Sequence, residues 1–167
     1  MAQPQTRGSV IDLADLPSHA GEALGHSSWR RIAQDEVTAF ARLTGDEQWI
    51  HVDPQRAAAG PFGATVAHGY FTLSLATVLL DEVLTIDGAG LVLNYGSDRV
   101  RYPAPVRVGS RVRALIELAA VKPLPGGSQV TYRLTYEVEG QPKPGCVAEI
   151  VYHYYVDRPG GSTGSGS

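Results

Sequence analysis

The sequence predicts an α+β domain in which one long apolar helix packs against an antiparallel sheet. The first sign is segment 61–86, which is apolar on nearly every helical face from Val66 to Leu84, as expected of a helix buried on all sides. The second is the rest of the chain, where four segments rich in Val, Ile, Tyr and Thr are separated by turns containing Gly and Pro. The four predicted strands span residues 90–102, 109–122, 128–140 and 145–157.

The third predicted strand carries the clearest strand pattern in the chain. In the stretch VTYRLTYEV, polar residues alternate with Val130, Tyr132, Leu134, Tyr136 and Val138. This alternation is typical of an antiparallel sheet that has one solvated face and one covered face. The covered face is expected to pack against the long helix.

Three shorter elements are predicted ahead of the long helix. Residues 27–34 are expected to form a short first strand. Residues 34–45 have helical spacing, acidic residues at the start and Gly45 at the end, which are helix start and stop signals. A single helical turn is predicted to begin at Pro54, because proline is favoured at the first position of a helix.

Length and composition indicate one domain. The chain has 167 residues, and we expect a single domain over residues 11–158, a flexible N-terminus over 1–10 and a flexible tail over 159–167. The tail, PGGSTGSGS, has the composition of an artificial linker and is set apart from the fold.

Charge and cysteine content exclude several classes of protein. The formal net charge of −3 argues against a nucleic-acid binder, which usually carries a basic stripe. The single cysteine, Cys146, can form no internal disulfide and fits a reducing compartment. The N-terminus lacks the apolar core of a signal peptide, and the apolar stretch Phe71–Leu84 is too short to span a membrane. A soluble cytoplasmic protein is expected.

Two proton-handling groups stand close together in the segment TGDEQWIHVDP (44–54). Asp46 and His51 lie five positions apart, between a glycine and a proline. Histidine titrates near neutral pH, so such a pair is able to take up and return a proton. Taken alone, however, such a pair is usually a turn residue followed by a surface histidine.

Three segments together make the pattern more specific. They are TGDEQWIHVDP, AAAGPFGATVAHGYF (57–71) and VRYPAPVRVGSRV (100–112). In this order and spacing they resemble the MaoC-like dehydratases, also called (R)-specific enoyl-CoA hydratases, over about residues 27–156. The matching positions are Asp46, His51, Asp53, Ala67, His68, Gly69, Arg101, Tyr102, Pro105 and Val106.

The resemblance implies a hot-dog fold, in which a curved antiparallel β-sheet wraps a long central helix. It also implies a homodimer with active sites near the interface. One departure is visible: Gln48 and Trp49 stand where the family usually has Asn-Pro. Without the proline, the tryptophan is expected to hold the loop by packing.

The activity implied by the resemblance is the reversible syn addition of water to a trans-2-enoyl-CoA, which gives an (R)-3-hydroxyacyl-CoA. The reaction needs a group that orients and deprotonates a water, a proton for the neighbouring carbon, and a donor for the charge on the thioester oxygen. Asp46 and His51 are expected to bind the water by hydrogen bonds and to act as the catalytic pair. Gly69 is expected to offer its backbone N–H as the oxyanion donor at the start of the helix. CoA is part of the substrate, and no cofactor or metal is expected.

The acyl chain is expected to run between the helix and the sheet. Candidate substrate-binding residues are Phe62, Tyr70, Thr77, Asn94 and Arg101. For the apolar members, plain core packing is an equally simple interpretation. Arg101 and its neighbouring arginines are candidates for contact with CoA phosphates, and a solvated strand face is the simpler interpretation of them.

Two other residues of the matching motifs are expected to have structural roles. His68 is expected to anchor loops by hydrogen bonds, and Asp53, before Pro54, to cap a helix. The spacing His-x-Asp is too common to predict a metal site.

Other functions on the same fold stay open. One is an acyl-CoA thioesterase. The helix carboxylates of this chain, Asp81 and Glu82, argue against it because they lie near the C-terminal end of the helix. Another is a non-catalytic protein that binds acyl thioesters. A dehydratase that acts on carrier-protein thioesters is a variant of the enoyl-CoA hydratase. The sequence does not distinguish a CoA substrate from a carrier-protein substrate.

Overall fold

The computed structural model describes residues 8–156. Residues 1–7, most of the expected flexible N-terminus, and residues 157–167, which include the expected tail, lie outside the described residues. The strands are β1 (Ser9–Asp12), β2 (Ala23–His26), β3 (Arg30–Arg31), β4 (Leu84–Asp87), β5 (Ala89–Arg101), β6 (Arg111–Leu124), β7 (Gly127–Val138) and β8 (Cys146–Val156). The helices are α1 (Gln34–Thr44), α2 (Trp49–Val52), α3 (Pro54–Ala58), α4 (Gly69–Ser74) and α5 (Ala76–Asp81).

Within residues 8–156, six strands form one antiparallel sheet. Their order is β2-β6-β7-β8-β5, and β3 also pairs with β6. All four strands predicted from the sequence are present, with ends within a few residues of the expected ones. The turn between β6 and β7 is formed by Pro125 and Gly126, and Gly126 has the positive φ of 77° that a turn glycine tolerates.

The alternation in β7 sorts its side chains as expected. Every second residue from Val130 to Val138 is buried, and the residues between them are partly exposed. Strand β6 shows the same pattern from Val112 to Leu118. The sheet therefore has one face in the core and one face towards solvent, as the sequence predicts.

The long helix is present but shorter than expected. Instead of one helix from Val66 to Leu84, α4 and α5 are separated by Leu75, which keeps a right-handed helical backbone. The expectation of burial on all sides is wrong for the single chain, because Tyr70 is 73% exposed and Val78 is 42% exposed. The physical reason is that the sheet of one chain covers only one side of these helices.

Helix α1 ends where its sequence signals place the end. Gly45 takes a left-handed conformation with φ of 79°, and its N–H donates to the carbonyl oxygen of Ala41. At the other end, the Glu36 side chain accepts the backbone N–H of Ala33 at 3.1 Å, half of a capping box. The helical turn expected at Pro54 is also confirmed as α3.

The N-terminal segment has more regular structure than the sequence suggests. Strand β1 pairs in parallel with β4, so Ser9 and Val10, which were placed in the flexible N-terminus, belong to a strand. The first strand expected at 27–34 is reduced to the two residues of β3, while β2 was not predicted. Strands this short carry too few residues for a visible alternation, and their pairing depends on distant partners.

Candidate active site

His51 is buried beneath the loop that follows α1. It lies in the one-turn helix α2 and is only 7% exposed. Its Nδ1 is 2.6 Å from the carbonyl oxygen of Val66. Because a carbonyl can only accept, Nδ1 carries the proton in the neutral ring and Nε2 keeps a free lone pair. The ring is thus oriented as a base.

His68 lies directly against His51. Their ring centroids are 3.7 Å apart with an interplanar angle of 24°, and Phe40 packs at 5.1 Å from the His68 ring. The Nε2 of His68 donates to the backbone oxygen of Asp46 at 2.9 Å, which confirms the expected anchoring of the loop. Its Nδ1 is buried without a hydrogen-bond partner among the described residues.

Asp46 lies beside these rings, in the exposed loop between α1 and α2. A carboxylate oxygen of Asp46 and one nitrogen each of His51 and His68 all lie within 4.8 Å of one another. Residues separated by up to 22 positions in the chain therefore converge on one small volume. The carboxylate faces solvent while the imidazoles are buried, so a water molecule at this boundary can contact both kinds of group.

The surroundings of His51 favour its neutral form. Burial is the main cause that lowers the pKa of His51 below its ordinary value of 6.5. The hydrogen bond to Val66 acts in the opposite direction, the His68 ring lowers the pKa further, and the Asp46 charge raises it. A neutral imidazole at physiological pH is the form that accepts a proton from water.

Two residues that the sequence analysis did not single out hold α2 in place. The side-chain amide of Gln34 donates to the backbone oxygen of His51 at 2.8 Å. The hydroxyl of Thr65 donates in turn to the Gln34 side-chain oxygen at 2.6 Å. Nothing in the sequence marks this link, because the two residues are 31 positions apart.

Trp49 and Asp53 have the structural roles expected of them. The Arg56 guanidinium lies 4.5 Å from the centroid of the Trp49 ring, and the same ring packs so closely on Gly60 that a Cβ there would be 3.0 Å away. Packing of Trp49 thus stabilises the loop in which the family usually has proline. The Asp53 side chain accepts the backbone N–H of Arg56 at 3.0 Å and caps α3.

Gly69 is the first residue of α4, as its expected role requires, but the structure gives a different reason for glycine. A Cβ at this position would lie 2.9 Å from the ring of Tyr102. Unobstructed approach of a thioester to the Gly69 N–H would be a separate reason for glycine at this position. Tyr102 follows β5 in the loop towards β6, and its ring also makes an edge contact with Tyr70. Burial raises the pKa of Tyr102 to about 12, so its hydroxyl remains protonated.

The five candidate substrate-binding residues do not form one cluster. Thr77 and Asn94 line two adjoining cavities between the helices and the sheet, and Tyr70 lines the smaller of these. Phe62 is half-buried in the loop after α3 and lines neither cavity. Arg101 is exposed at the end of β5, where its guanidinium donates to the backbone oxygen of Val100.

The arginines near Arg101 are mostly bound to carboxylates. Arg99 pairs with Glu149, and Arg111 and Arg113 pair with Glu139 and Glu137 on β7 or just beyond it. These pairs form a charged ladder on the outer face of the sheet. They support the simpler interpretation of a solvated strand face rather than a phosphate site.

Cys146 is unsuited to nucleophilic catalysis. It is fully buried in β8, and burial raises the pKa of its thiol to about 12. The thiol is therefore protonated at physiological pH.

The fold and the site together define a hot-dog protein with a histidine–carboxylate pair beside the first turn of its central helix. Residues 15–139 match the MaoC like domain, and the chain belongs to this family of hydratases and dehydratases. The 3-hydroxyacyl-thioester dehydratase Z of Mycobacterium tuberculosis is 54% identical over 143 residues, which cover 85% of this chain and 95% of the relative.

Solved structures agree with the assignment of the fold. The (R)-hydratase from Aeromonas caviae involved in PHA biosynthesis is 27% identical, with a TM-score of 0.65 over 80% of this chain and 94% of that chain. A monoamine oxidase regulatory protein from Archaeoglobus has a TM-score of 0.73 at 21% identity, over 91% of this chain and 99% of that chain. The predicted hot-dog fold is confirmed. Among the described helices, none has both the length and the apolarity to cross a membrane.

Proposed function

We propose that the protein is an (R)-specific enoyl-CoA hydratase, which adds water reversibly and in the syn sense to trans-2-enoyl-CoA and yields (R)-3-hydroxyacyl-CoA. The observation that carries the proposal is the convergence of the Asp46 carboxylate with the imidazoles of His51 and His68, since His68 directly precedes Gly69 at the start of α4. The similarity to a 3-hydroxyacyl-thioester dehydratase supports a thioester substrate. CoA as the carrier and the (R) configuration belong to the proposal.

The proposed reaction begins with a water held between Asp46 and His51. The water oxygen forms a bond to C3 of the enoyl group while one of its protons passes to Nε2 of His51. The electron pair of the double bond moves to the thioester, and the enolate oxygen accepts the backbone N–H of Gly69 at the start of α4. C2 then takes the proton from His51, on the face from which the water came. Both residues return to their starting states.

Asp46 contributes to this cycle by orientation and charge. Its carboxylate accepts the second O–H of the water and keeps the oxygen aimed at C3. Its negative charge also stabilises the transient imidazolium, in keeping with the direction in which it moves the pKa of His51. His68 positions the pair, because it holds the Asp46 backbone by a hydrogen bond and the His51 ring by stacking.

We propose that no metal takes part, although three potential ligands lie within 4.8 Å of one another. The lone pairs of imidazole lie in the plane of the ring. The rings of His51 and His68 are stacked with only 24° between their planes, so their in-plane lone pairs do not converge on one ion. This geometry favours a water site.

We further propose a homodimer formed through β5. This 13-residue strand lies at the edge of the sheet and exposes several large apolar side chains: Leu91, Val92, Leu93 and Tyr95. A long exposed apolar edge is an aggregation hazard unless it is covered. Antiparallel pairing with β5 of a second copy provides hydrogen-bond partners for the backbone groups at this edge. It also places the second copy near the exposed side of α4 and α5. Such a dimer would also supply the missing cover for Tyr70 and Val78.

Sedimentation of matched variants tests the dimer. Leu93→Lys introduces a charge at the proposed interface and is expected to give a monomer. Leu43→Lys changes an equally apolar residue that is 84% exposed on α1, away from β5, and is expected to remain dimeric. A monomeric wild-type protein, or a Leu93→Lys variant that is still dimeric, would contradict this assembly.

Turnover of crotonyl-CoA tests the activity. The wild-type protein is expected to consume the enoyl-thioester absorbance without release of free thiol, and chiral chromatography of the product is expected to give (R)-3-hydroxybutyryl-CoA. The (S) product would contradict the proposed stereochemistry. Release of free CoA thiol would identify a thioesterase instead. Turnover only with a carrier-protein thioester would change the proposed carrier.

A further inference from the structure

Two cavities lie end to end along one face of the central helices. A cavity of about 260 Å³ begins beside Tyr70 and is lined by Ser74 and Thr77. A cavity of about 560 Å³ continues from Thr77 to Asp81. Both are lined by Asn94 of β5, so together they form one groove between the helices and the sheet. The groove starts one residue from Gly69.

The far part of this groove contains buried phenols. The hydroxyl of Tyr152 hydrogen-bonds to that of Thr77 at 2.9 Å. The hydroxyl of Tyr132 donates to that of Tyr154 at 3.1 Å. Tyr154 thus receives a hydrogen bond, and its own proton has no acceptor within residues 8–156. Tyr152 and Tyr154 both line the larger cavity, each with 5% of its surface exposed.

Asp81 supplies the complementary group at this end. It is the last residue of α5 and lines the same cavity as Tyr152 and Tyr154. Burial is the main cause that raises the pKa values of both tyrosines, and the negative charge of Asp81 raises them further. Burial raises the pKa of Asp81 itself. The wall therefore presents the Tyr154 hydroxyl as a donor and the Asp81 carboxylate as an acceptor.

The length of the helix indicates which part of a substrate would reach this point. At a rise of 1.5 Å per residue, Thr77 is roughly 12 Å and Asp81 roughly 18 Å along the helix from Gly69. A crotonyl chain bound at Gly69 ends well before either residue. A chain of about ten carbons or more extends into the larger cavity.

We propose that the larger cavity is a subsite for a hydroxyl group on the acyl chain, so that the favoured substrates are 2-enoyl thioesters hydroxylated at or near the far end of a chain of about ten to twelve carbons. This inference rests on the proposed hydratase function. A hydroxyl both accepts and donates, and therefore matches the Tyr154 O–H and the Asp81 carboxylate together. A terminal methyl group would displace water from the Tyr154 hydroxyl and the Asp81 carboxylate and would form no hydrogen bond with either group.

Paired substrates measure the preference. The wild-type kcat/KM is expected to be about tenfold higher for 10-hydroxy-trans-2-decenoyl-CoA or its twelve-carbon homologue than for the unsubstituted ester of the same length. Larger ratios are not expected, because Asp81 is more than a third exposed and water reaches it. Equal kcat/KM values at both lengths would overturn the inference.

Variants identify the residues responsible. Asp81→Leu removes the acceptor and Tyr154→Phe removes the donor, and each is expected to bring the ratio of the two kcat/KM values close to one. Two variants serve as matched controls. In Glu82→Gln the side-chain oxygen can still accept the N–H of Ser28. Tyr155→Phe removes a hydroxyl that faces His153. Both controls are expected to keep the wild-type ratio. If Asp81→Leu does not fold, Asp81→Ala is measured in its place, because alanine also has no acceptor and the same loss of preference is expected.

Crotonyl-CoA separates failure of this inference from failure of the proposed function. The short substrate does not reach the larger cavity, so its hydration by the wild-type protein reports on the catalytic pair alone. Hydration of crotonyl-CoA with no preference between the paired long substrates overturns the hydroxyl subsite and leaves the function standing. Preservation of the preference in both Asp81→Leu and Tyr154→Phe overturns the subsite as well. Failure to hydrate any 2-enoyl thioester overturns the function itself.

Discussion

The imidazole rings of His51 and His68 stack at 3.7 Å between centroids, with 24° between their planes. Each ring has one nitrogen engaged with a backbone carbonyl, of Val66 and of Asp46 respectively. The stack therefore joins the start of the central helix to the loop that carries the carboxylate. It fixes the direction of the free nitrogen of His51 and disfavours a positive charge on that ring.

The pH dependence of the reaction follows from this environment. The pKa of His51 is lowered from 6.5 chiefly by burial, and the proposed hydration requires the neutral ring. Lowering the pH therefore removes activity only as it passes below 6.5, when His51 becomes protonated. In a profile of kcat/KM for crotonyl-CoA against pH, the acidic limb is expected to have its midpoint below 6.5. A midpoint above 6.5 would show that the ring is not the buried neutral base described here.

His68 is expected to act as a positioning residue. His68→Ala removes both the stack and the hydrogen bond to the Asp46 backbone, and the loss of one such bond is expected to lower kcat roughly three- to tenfold. His68→Gln can still donate to that carbonyl and is expected to keep most of kcat. Both variants should move the acidic midpoint upwards, because His68 lowers the pKa of His51.

A surface histidine provides the control for these variants. His19 pairs with Glu22 outside the site, and His19→Gln is expected to leave kcat and the acidic midpoint unchanged. If His68→Ala lowers stability but changes neither kcat nor the pH profile, His68 has no positioning role.

The contact between Gly69 and Tyr102 predicts a coupled pair of variants. Gly69→Ala places a methyl group 2.9 Å from the Tyr102 ring and is expected to lower the free energy of unfolding by about 1–3 kcal/mol. In a Tyr102→Ala background the ring is gone, and the same substitution should have a much smaller effect. Chemical denaturation of the four proteins measures this coupling.

Activity of the same four proteins separates the two explanations for the glycine. If the clash with Tyr102 is the only problem, Gly69→Ala should have little further effect on kcat/KM in the Tyr102→Ala background. If a methyl group at this position also obstructs the thioester, the double variant should remain impaired. An equal stability loss from Gly69→Ala in both backgrounds would contradict the packing derived from the structure.

Local sequence patterns predicted the regular elements well. The alternation from Val130 to Val138 identifies β7, and the acidic start and Gly45 end identify α1, because each signal lies within the element that it describes. Strand β1 escaped prediction because its four residues gain their pairing from β4, more than seventy positions away. The exposed face of α4 and α5 was also missed, because exposed apolar residues look the same in sequence as residues of a core.

The candidate site was predicted in its members but not in its arrangement. The resemblance singled out Asp46, His51 and Gly69, yet their roles stay predictions until activity is measured. Sequence could not show that Tyr102 covers Gly69 or that Gln34 holds α2, because both contacts join residues that are distant in the chain. The polar far end of the groove between the helices and the sheet likewise combines side chains of α5 and β8 that no motif connects.

The central claim, that Asp46 and His51 share one catalytic water, is tested most directly by hydration of crotonyl-CoA with Asp46→Asn and His51→Gln. Each variant is expected to keep the wild-type circular dichroism spectrum and to lose about 10²–10⁴-fold in kcat, the usual contribution of general acid–base catalysis. A folded variant that retains more than about a tenth of the wild-type kcat would remove that residue from the proton-transfer step.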